Sequence, residues 1–303
     1  MAVRMIRTAG TLALLALSAL PALANDPLAA DTPARTDASA IIVGSADFPE
    51  SQLLATIYAK ALSAKGIETS TKLNIGSREV YMPALRDGSI DLLPEYAGAA
   101  LAYLDKDSTA HAPDDVAAAL KAALPEGVSM LTPSKAQNSD TMAVTRATAD
   151  KYTLKTISDL KPHAAEIVVG GSPEWQARKE GMLGLKEVYG LEFKSFKPLD
   201  VGGPLTVSAL ANGQVQAADL FSTDPAIAAN DFVTLVDDKN LFAAQNIVPI
   251  MASAKESETA TQVLDAVSAE LTTEDLIHMN GRLADHDSID QVAEDWLAEH
   301  KLN

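Results

Sequence analysis

Short apolar runs alternate with helical stretches along most of the chain. Ile41-Ile42-Val43 ends at Gly44-Ser45 and predicts a strand. From about Glu50 to Lys65, the residues Leu53, Leu54, Ile57, Tyr58, Ala61 and Leu62 recur at helical spacing, and Gly66 stops the run. Residues 67–74 alternate as a strand. Gly76-Ser77 opens a second helix that Gly88 closes, and Ile90 to Leu93 predicts the next strand. Strand, helix and strand at this spacing imply βαβ units on a parallel sheet, an α/β fold.

The same order of features recurs from Ile167, where IVVGGSPEWQARKEGMLGLKEVYG parallels the stretch from Ile41. KPLDVGGPLTVSALANGQVQAADLFSTDPA, from Lys197, parallels the stretch from Thr71. The clearest pair is Ala84-Leu85-Arg86-Asp87-Gly88 against Ala209-Leu210-Ala211-Asn212-Gly213. Chance likeness of two generic βαβ units is the alternative to a duplication. Two α/β lobes on one chain imply a cleft between them, because ligands of open α/β sheets sit beyond the carboxyl ends of the strands. Those ends are the turns Gly44–Phe48, Pro94–Gly98, Gly170–Trp175 and Phe221–Asp224.

The N-terminus reads as an address. Arg4 and Arg7 precede an apolar run from Ala9 to Leu20, which is too short for the roughly 20 residues a membrane-spanning helix needs. Pro21 and Ala22-Leu23-Ala24 complete a secretory signature cut after Ala24. An uncleaved anchor is the alternative. Residues 25–40 read as a flexible leader. The expectation is a periplasmic or secreted protein.

Charge narrows the partners. The 303 residues carry a formal net charge of −17, which argues against nucleic acid and against an anionic membrane surface. There are no cysteines, so disulfides, thiolate metal sites and a lipoprotein anchor are all absent. The five His (His111, His163, His278, His286 and His300) stand in no metal-binding spacing. Neither GxSxG nor a phosphate-binding GxxxxGK[ST] loop occurs. The acidic pairs Asp114-Asp115 and Glu274-Asp275 fall at helix starts, where the helix dipole favours them. No catalytic residues, metal or cofactor are expected.

The segments GSADFPES (from Gly44), NIGSREVYMPALRDGSIDLLPEYAG (from Asn74), EWQAR (from Glu174), GLKEVYGLEF (from Gly184) and DDKNLFAAQNIVP (from Asp237) resemble one family. It comprises the glycine betaine/choline/carnitine-type substrate-binding proteins of osmoprotectant ABC importers. The likeness runs from about Ile41 to Leu302. It implies a two-lobed periplasmic-binding-protein fold of type II-like layout, with two hinge crossovers and the ligand between the lobes. The implied first lobe is 40–138 plus 246–303, and the second is 139–245. A signal peptide (1–24) and the leader precede them. The implied partners are a small solute, an ABC permease and its ATPase, and the chain is expected to act as a monomer.

The resemblance also implies a site, in which a quaternary ammonium lies among aromatic rings and is held by cation–π attraction. Tyr96 matches a ring of that box. Phe221 falls on another and keeps the ring. Met142, two after Asp140, stands where an aromatic is usual, and Gln245 replaces a tyrosine. Arg178 matches the arginine that grips a carboxylate. Ala46 and Ala99 stand where a lysine and a threonine are common. Ser45, Asp47, Tyr96, Asp140, Met142, Arg178, Phe221 and Gln245 are therefore the candidate ligand contacts, forming an altered box. Each also has a plain structural reading: Tyr96 packed on the sheet, Arg178 paired with Glu174 or Glu180, Met142 as strand core. Trp175 is expected to pack. A ligand-sensing protein for a membrane receptor, or an exported enzyme, are the competing functions.

Overall fold

A computed structural model describes residues 40–303 of the protein. The expected signal peptide and all but the last residue of the leader lie outside the described residues. The chain begins with β1 (Ile41–Gly44), α1 (Pro49–Ala64), β2 (Thr69–Lys72), α2 (Arg78–Arg86) and β3 (Leu92–Tyr96). α3 (Ala97–Leu104), α4 (Pro113–Ala123) and β4 (Val128–Met130) follow. Then come β5 (Asp140–Thr145), α5 (Arg146–Tyr152), β6 (Val168–Gly171), α6 (Met182–Tyr189), β7 (Ser195–Pro198), α7 (Pro204–Ala211) and β8 (Ala217–Phe221). α8 (Ala226–Ala229), β9 (Phe232–Thr234), β10 (Ile247–Ala252), α9 (Glu258–Glu270), α10 (Thr273–Ala284) and α11 (Ile289–Glu299) complete it.

The strands form two five-stranded sheets of the same layout, ordered β2-β1-β3-β10-β4 and β7-β6-β8-β5-β9. In each, a parallel trio at one edge is followed by two strands that each pair antiparallel with their neighbour. The expected repeat is thus visible as β1-α1-β2-α2-β3 against β6-α6-β7-α7-β8. The chain passes to the second sheet between β4 and β5 and returns between β9 and β10. The two passing segments touch in an antiparallel bridge, Gln137 to Asn246. This exchange places a late strand, β10, where an early one, β5, stands in the other sheet.

Each sheet has its own apolar core. α1 is buried on almost every side because α9 and α11 cover the face turned away from β1. The C-terminal helices are started by side-chain caps. Ser257, Thr272 and Ser288 accept from the backbone N–H of Ala260, Asp275 and Gln291, each such cap contributing about 1 kcal/mol. The acidic pairs expected at helix starts lie in the first turns of α4 and α10.

Two sequence expectations shift. The strand expected at Ile90–Leu93 runs instead through Tyr96 and passes directly into α3, so no turn separates Pro94 from Gly98. Pro94 and Glu95 look unlike strand residues, but Pro94 faces Pro249 of β10, where neither proline has an N–H to give the ladder. Glu95 is fully buried beside an arginine. The helix expected after β6 is broken into a 3₁₀ turn, Glu174–Ala177, and α6. Gly181 lies so close to the turn that a Cβ there would sit 1.9 Å from the Trp175 carbonyl oxygen. The break leaves Arg178 extended, at φ −90° and ψ 153°.

Candidate functional site

All four strand-end segments singled out in the sequence converge on one cleft of about 630 Å³, part of it open to solvent. Ala46, Asp47 and Phe48 follow β1, Tyr96 ends β3, Ser172, Glu174 and Trp175 follow β6, and Phe221 ends β8. Both sheets therefore contribute walls, as strand carboxyl ends do in open α/β folds.

Three rings meet across the cleft. The Phe48 centroid lies 5.7 Å from that of Tyr96 and 5.3 Å from that of Phe221, in tilted arrangements. These separations fall in the favourable range for aromatic pairs. Phe48 is the residue before α1 and bridges a ring of the first sheet to a ring of the second.

Behind the rings lies a buried carboxylate, Glu50, in the first turn of α1. It accepts from the Tyr96 hydroxyl at 2.8 Å, Asn138 Nδ2 at 2.7 Å, Thr223 Oγ1 at 2.7 Å and Asn280 Nδ2 at 2.6 Å. These donors come from β3, the first passing segment, the loop after β8 and α10. The helix N-terminus favours the anion there. Burial, with Glu50 alongside, pushes the Tyr96 phenol well above its ordinary pKa, so it stays a neutral donor.

Two arginines and five carboxyl side chains line the cleft. Arg78 is held bidentate by Glu95, Nε at 2.7 Å and Nη2 at 2.9 Å, and the Tyr81 hydroxyl adds a bond of 2.9 Å to the same carboxylate. Arg178 reaches Glu79 of α2, with Nη2 2.9 Å from Oε2, and stands 3.8 Å from Glu180. Asp140 and Asp219 are diagonal neighbours on the paired strands β5 and β8. Burial, then the nearby Glu180, pushes Asp140 up to about 7. Burial, then Asp140 itself, pushes Asp219 well above the carboxylate range. Two acids this close share a proton rather than both ionise.

Two buried polar atoms on this wall, Asp219 Oδ1 and Trp175 Nε1, have no hydrogen-bond partner among the described residues. A buried acceptor and a buried donor left unmade cost on the order of 1–3 kcal/mol each. Among the described residues, no three His, Asp or Glu side chains gather as metal donors.

Residues 39–299 match the family described as the substrate binding domain of the ABC-type glycine betaine transport system. The chain belongs to this family. The glycine betaine-binding protein YehZ of Escherichia coli (strain K12) is 28% identical over 95% of each chain. A glycine-betaine-binding protein of Pseudomonas aeruginosa is 26% identical over 88% of this chain and 89% of its own. In fold, the chain is similar to a crystal structure of a glycine betaine/carnitine/choline ABC transporter protein. That likeness has a TM-score of 0.69 at 23% identity and covers 86% of this chain and 99% of the other. Members of this family bind solutes and are not enzymes, as the sequence led one to expect.

Within this family's cleft, Asp47, Tyr96, Asp140, Arg178, Phe221 and Gln245 line the wall, as do Ala46 and Ala99. Met142 does not. It shares a face with Asp140 but sits one pleat further along β5, fully buried in the second sheet's core. Ser45 is not on the wall either, since its hydroxyl is engaged within the turn, donating to the Ala46 carbonyl and accepting from the Asn74 N–H. Gln245 is on the wall, but its Oε1 accepts from the Ala99 N–H at 3.0 Å, so the amide holds the first turn of α3. Gly98 permits that approach, because a Cβ there would sit 2.8 Å from the Ala244 carbonyl oxygen. Trp175 packs in the second core as expected, 6.3 Å from the Phe196 ring.

Sequence reasoning missed Phe48, Glu50, Glu79 and Asp219. Phe48 was legible in part, since it ends a turn already placed at the cleft. Nothing local marks Glu50 or Asp219 as buried.

Proposed function

We propose that the protein is an exported receptor that captures a small quaternary-amine solute, of the glycine betaine or choline kind, and delivers it to an ABC permease. The observation that carries this reading is the cleft's lining: rings from both sheets, Phe48, Tyr96 and Phe221, beside more carboxyl groups than arginines. A methylated cation gains cation–π attraction from such rings, on the order of 0.5–2 kcal/mol per ring. The carboxyl groups on the same wall supply the opposite charge. The names of the relatives, which bind glycine betaine, agree with that class.

The two sheets then act as lobes that open and close about the segments near Ser139 and Asn246. The protein is a monomer with a mature form beginning at Asn25, placed outside the cytoplasmic membrane. Calorimetric titration with glycine betaine, choline, carnitine and proline betaine tests the ligand class. Binding of none of the four sinks it. Intact-mass analysis of the exported protein tests the cleavage, and retention of residues 1–24 refutes it.

A further inference from the structure

We infer that Glu79 is a specificity-determining residue that withdraws Arg178 from ligand binding, so that the cleft favours an organic monocation over a carboxylate-bearing zwitterion. The inference rests on the quaternary-amine reading above. An anion in this cleft is best gripped by the forked Nε–Nη2 edge of an arginine, and both arginines already give that edge to a carboxylate. Arg78 spends Nε and Nη2 on Glu95. Arg178 spends Nε and Nη2 on Glu79, at 2.9–3.3 Å, with Glu180 close behind.

The Glu79 contact spans the cleft. Glu79 lies on α2, beside the first sheet, and Arg178 lies in the extended break before α6, beside the second. The adjacent Lys179 makes the same crossing, its Nζ donating to the carbonyls of Lys106 at 2.8 Å and Ser108 at 3.0 Å. Consecutive cations of one side are thus both committed to the other side. A ligand carboxylate would have to displace Glu79, whereas a cation without an acid group leaves the pair intact. Five carboxyl side chains line the same cleft against these two committed arginines. A quaternary amine without an acid group fits these demands, its ammonium meeting the rings while both arginine pairs stay in place.

The test is the ratio of dissociation constants for glycine betaine and choline, measured by calorimetry on the full mature chain. Wild type is expected to hold choline more tightly. Glu79→Gln frees the guanidinium and should shift the ratio toward glycine betaine by up to about fivefold, the scale of a half-exposed ion pair. Adding Arg178→Gln should cancel that shift, which a merely structural role for Glu79 would not. A wild-type preference for glycine betaine, or an unchanged ratio in Glu79→Gln, overturns the assignment while the quaternary-amine reading stands. If neither solute binds either protein, the quaternary-amine reading fails and takes the selectivity with it.

Discussion

Thr223, in the loop after β8, donates its hydroxyl to Glu50 at the start of α1 over 2.7 Å, joining the second sheet's side to the first through a buried carboxylate. Asn280 Nδ2 contacts both partners, at 2.6 Å from Glu50 Oε2 and 3.1 Å from Thr223 Oγ1. Glu50→Ala strands four donors at once. We expect it to lower unfolding free energy by about 3–5 kcal/mol, since removing a buried charge's partner set is among the costliest changes. Urea denaturation measures this, and a loss under about 1 kcal/mol would show the cluster to be incidental.

Arg78 and Arg178 should behave differently although both line the cleft. Glu95 is fully buried, so Arg78→Ala leaves an unpaired charge in the interior and should cost about 3–5 kcal/mol. Glu79 keeps 44% of its side chain in solvent. Water takes over its charge in Arg178→Ala, and the loss should stay below about 1 kcal/mol. Thermal or urea melts of the two variants side by side provide the comparison, and equal losses would contradict it.

The Asp140–Asp219 pair makes stability and binding respond to pH with opposite signs. Their folded-state pKa values are raised above the unfolded ones, to about 7 for Asp140. The protonated pair therefore contributes stability that is fully present below the ordinary carboxylate value of about 4 and is lost as pH rises through about 7. A cationic ligand prefers the ionised pair, so its affinity should rise from pH 5 to pH 8. Asp219→Asn should flatten both profiles. Melting temperatures and calorimetric titrations across that range check the signs.

Phe48 touches both neighbouring rings, whereas Tyr96 and Phe221 each touch Phe48. Phe48→Ala should weaken quaternary-amine binding by about tenfold, from the lost cation–π face and the loosened orientation of the other two rings. Phe48→Tyr should retain most of the affinity. If Phe48→Ala binds as wild type does, the rings serve packing alone.

Legibility of the site in the sequence followed the range of the interactions. Tyr96 and Phe221 end strands whose patterns are local, and the β1 and β6 turns are marked by glycine and serine. Met142 took its alternative reading, strand core, because alternation along β5 gives a residue's face but not how far the cleft reaches along that face. For Arg178 the plain structural alternative was a sequence-near partner, Glu174 or Glu180; Glu180 stands 3.8 Å away, but Glu79 holds it most closely from 99 positions away. Gln245 was read as a wall amide, and its bond to Ala99 spans 146 positions.

By itself the sequence determined the α/β class, the repeated strand–helix units, the helix starts and the absence of cysteine chemistry, because periodicity and capping act within a few residues. The tertiary structure alone decided which buried charges are neutralised and by whom. Glu95 in a strand, Glu50 in a first turn and Asp219 beside Asp140 look locally like solvent-facing acids. Burial reverses that, because a charge taken out of water must find its partner wherever the fold brings one near.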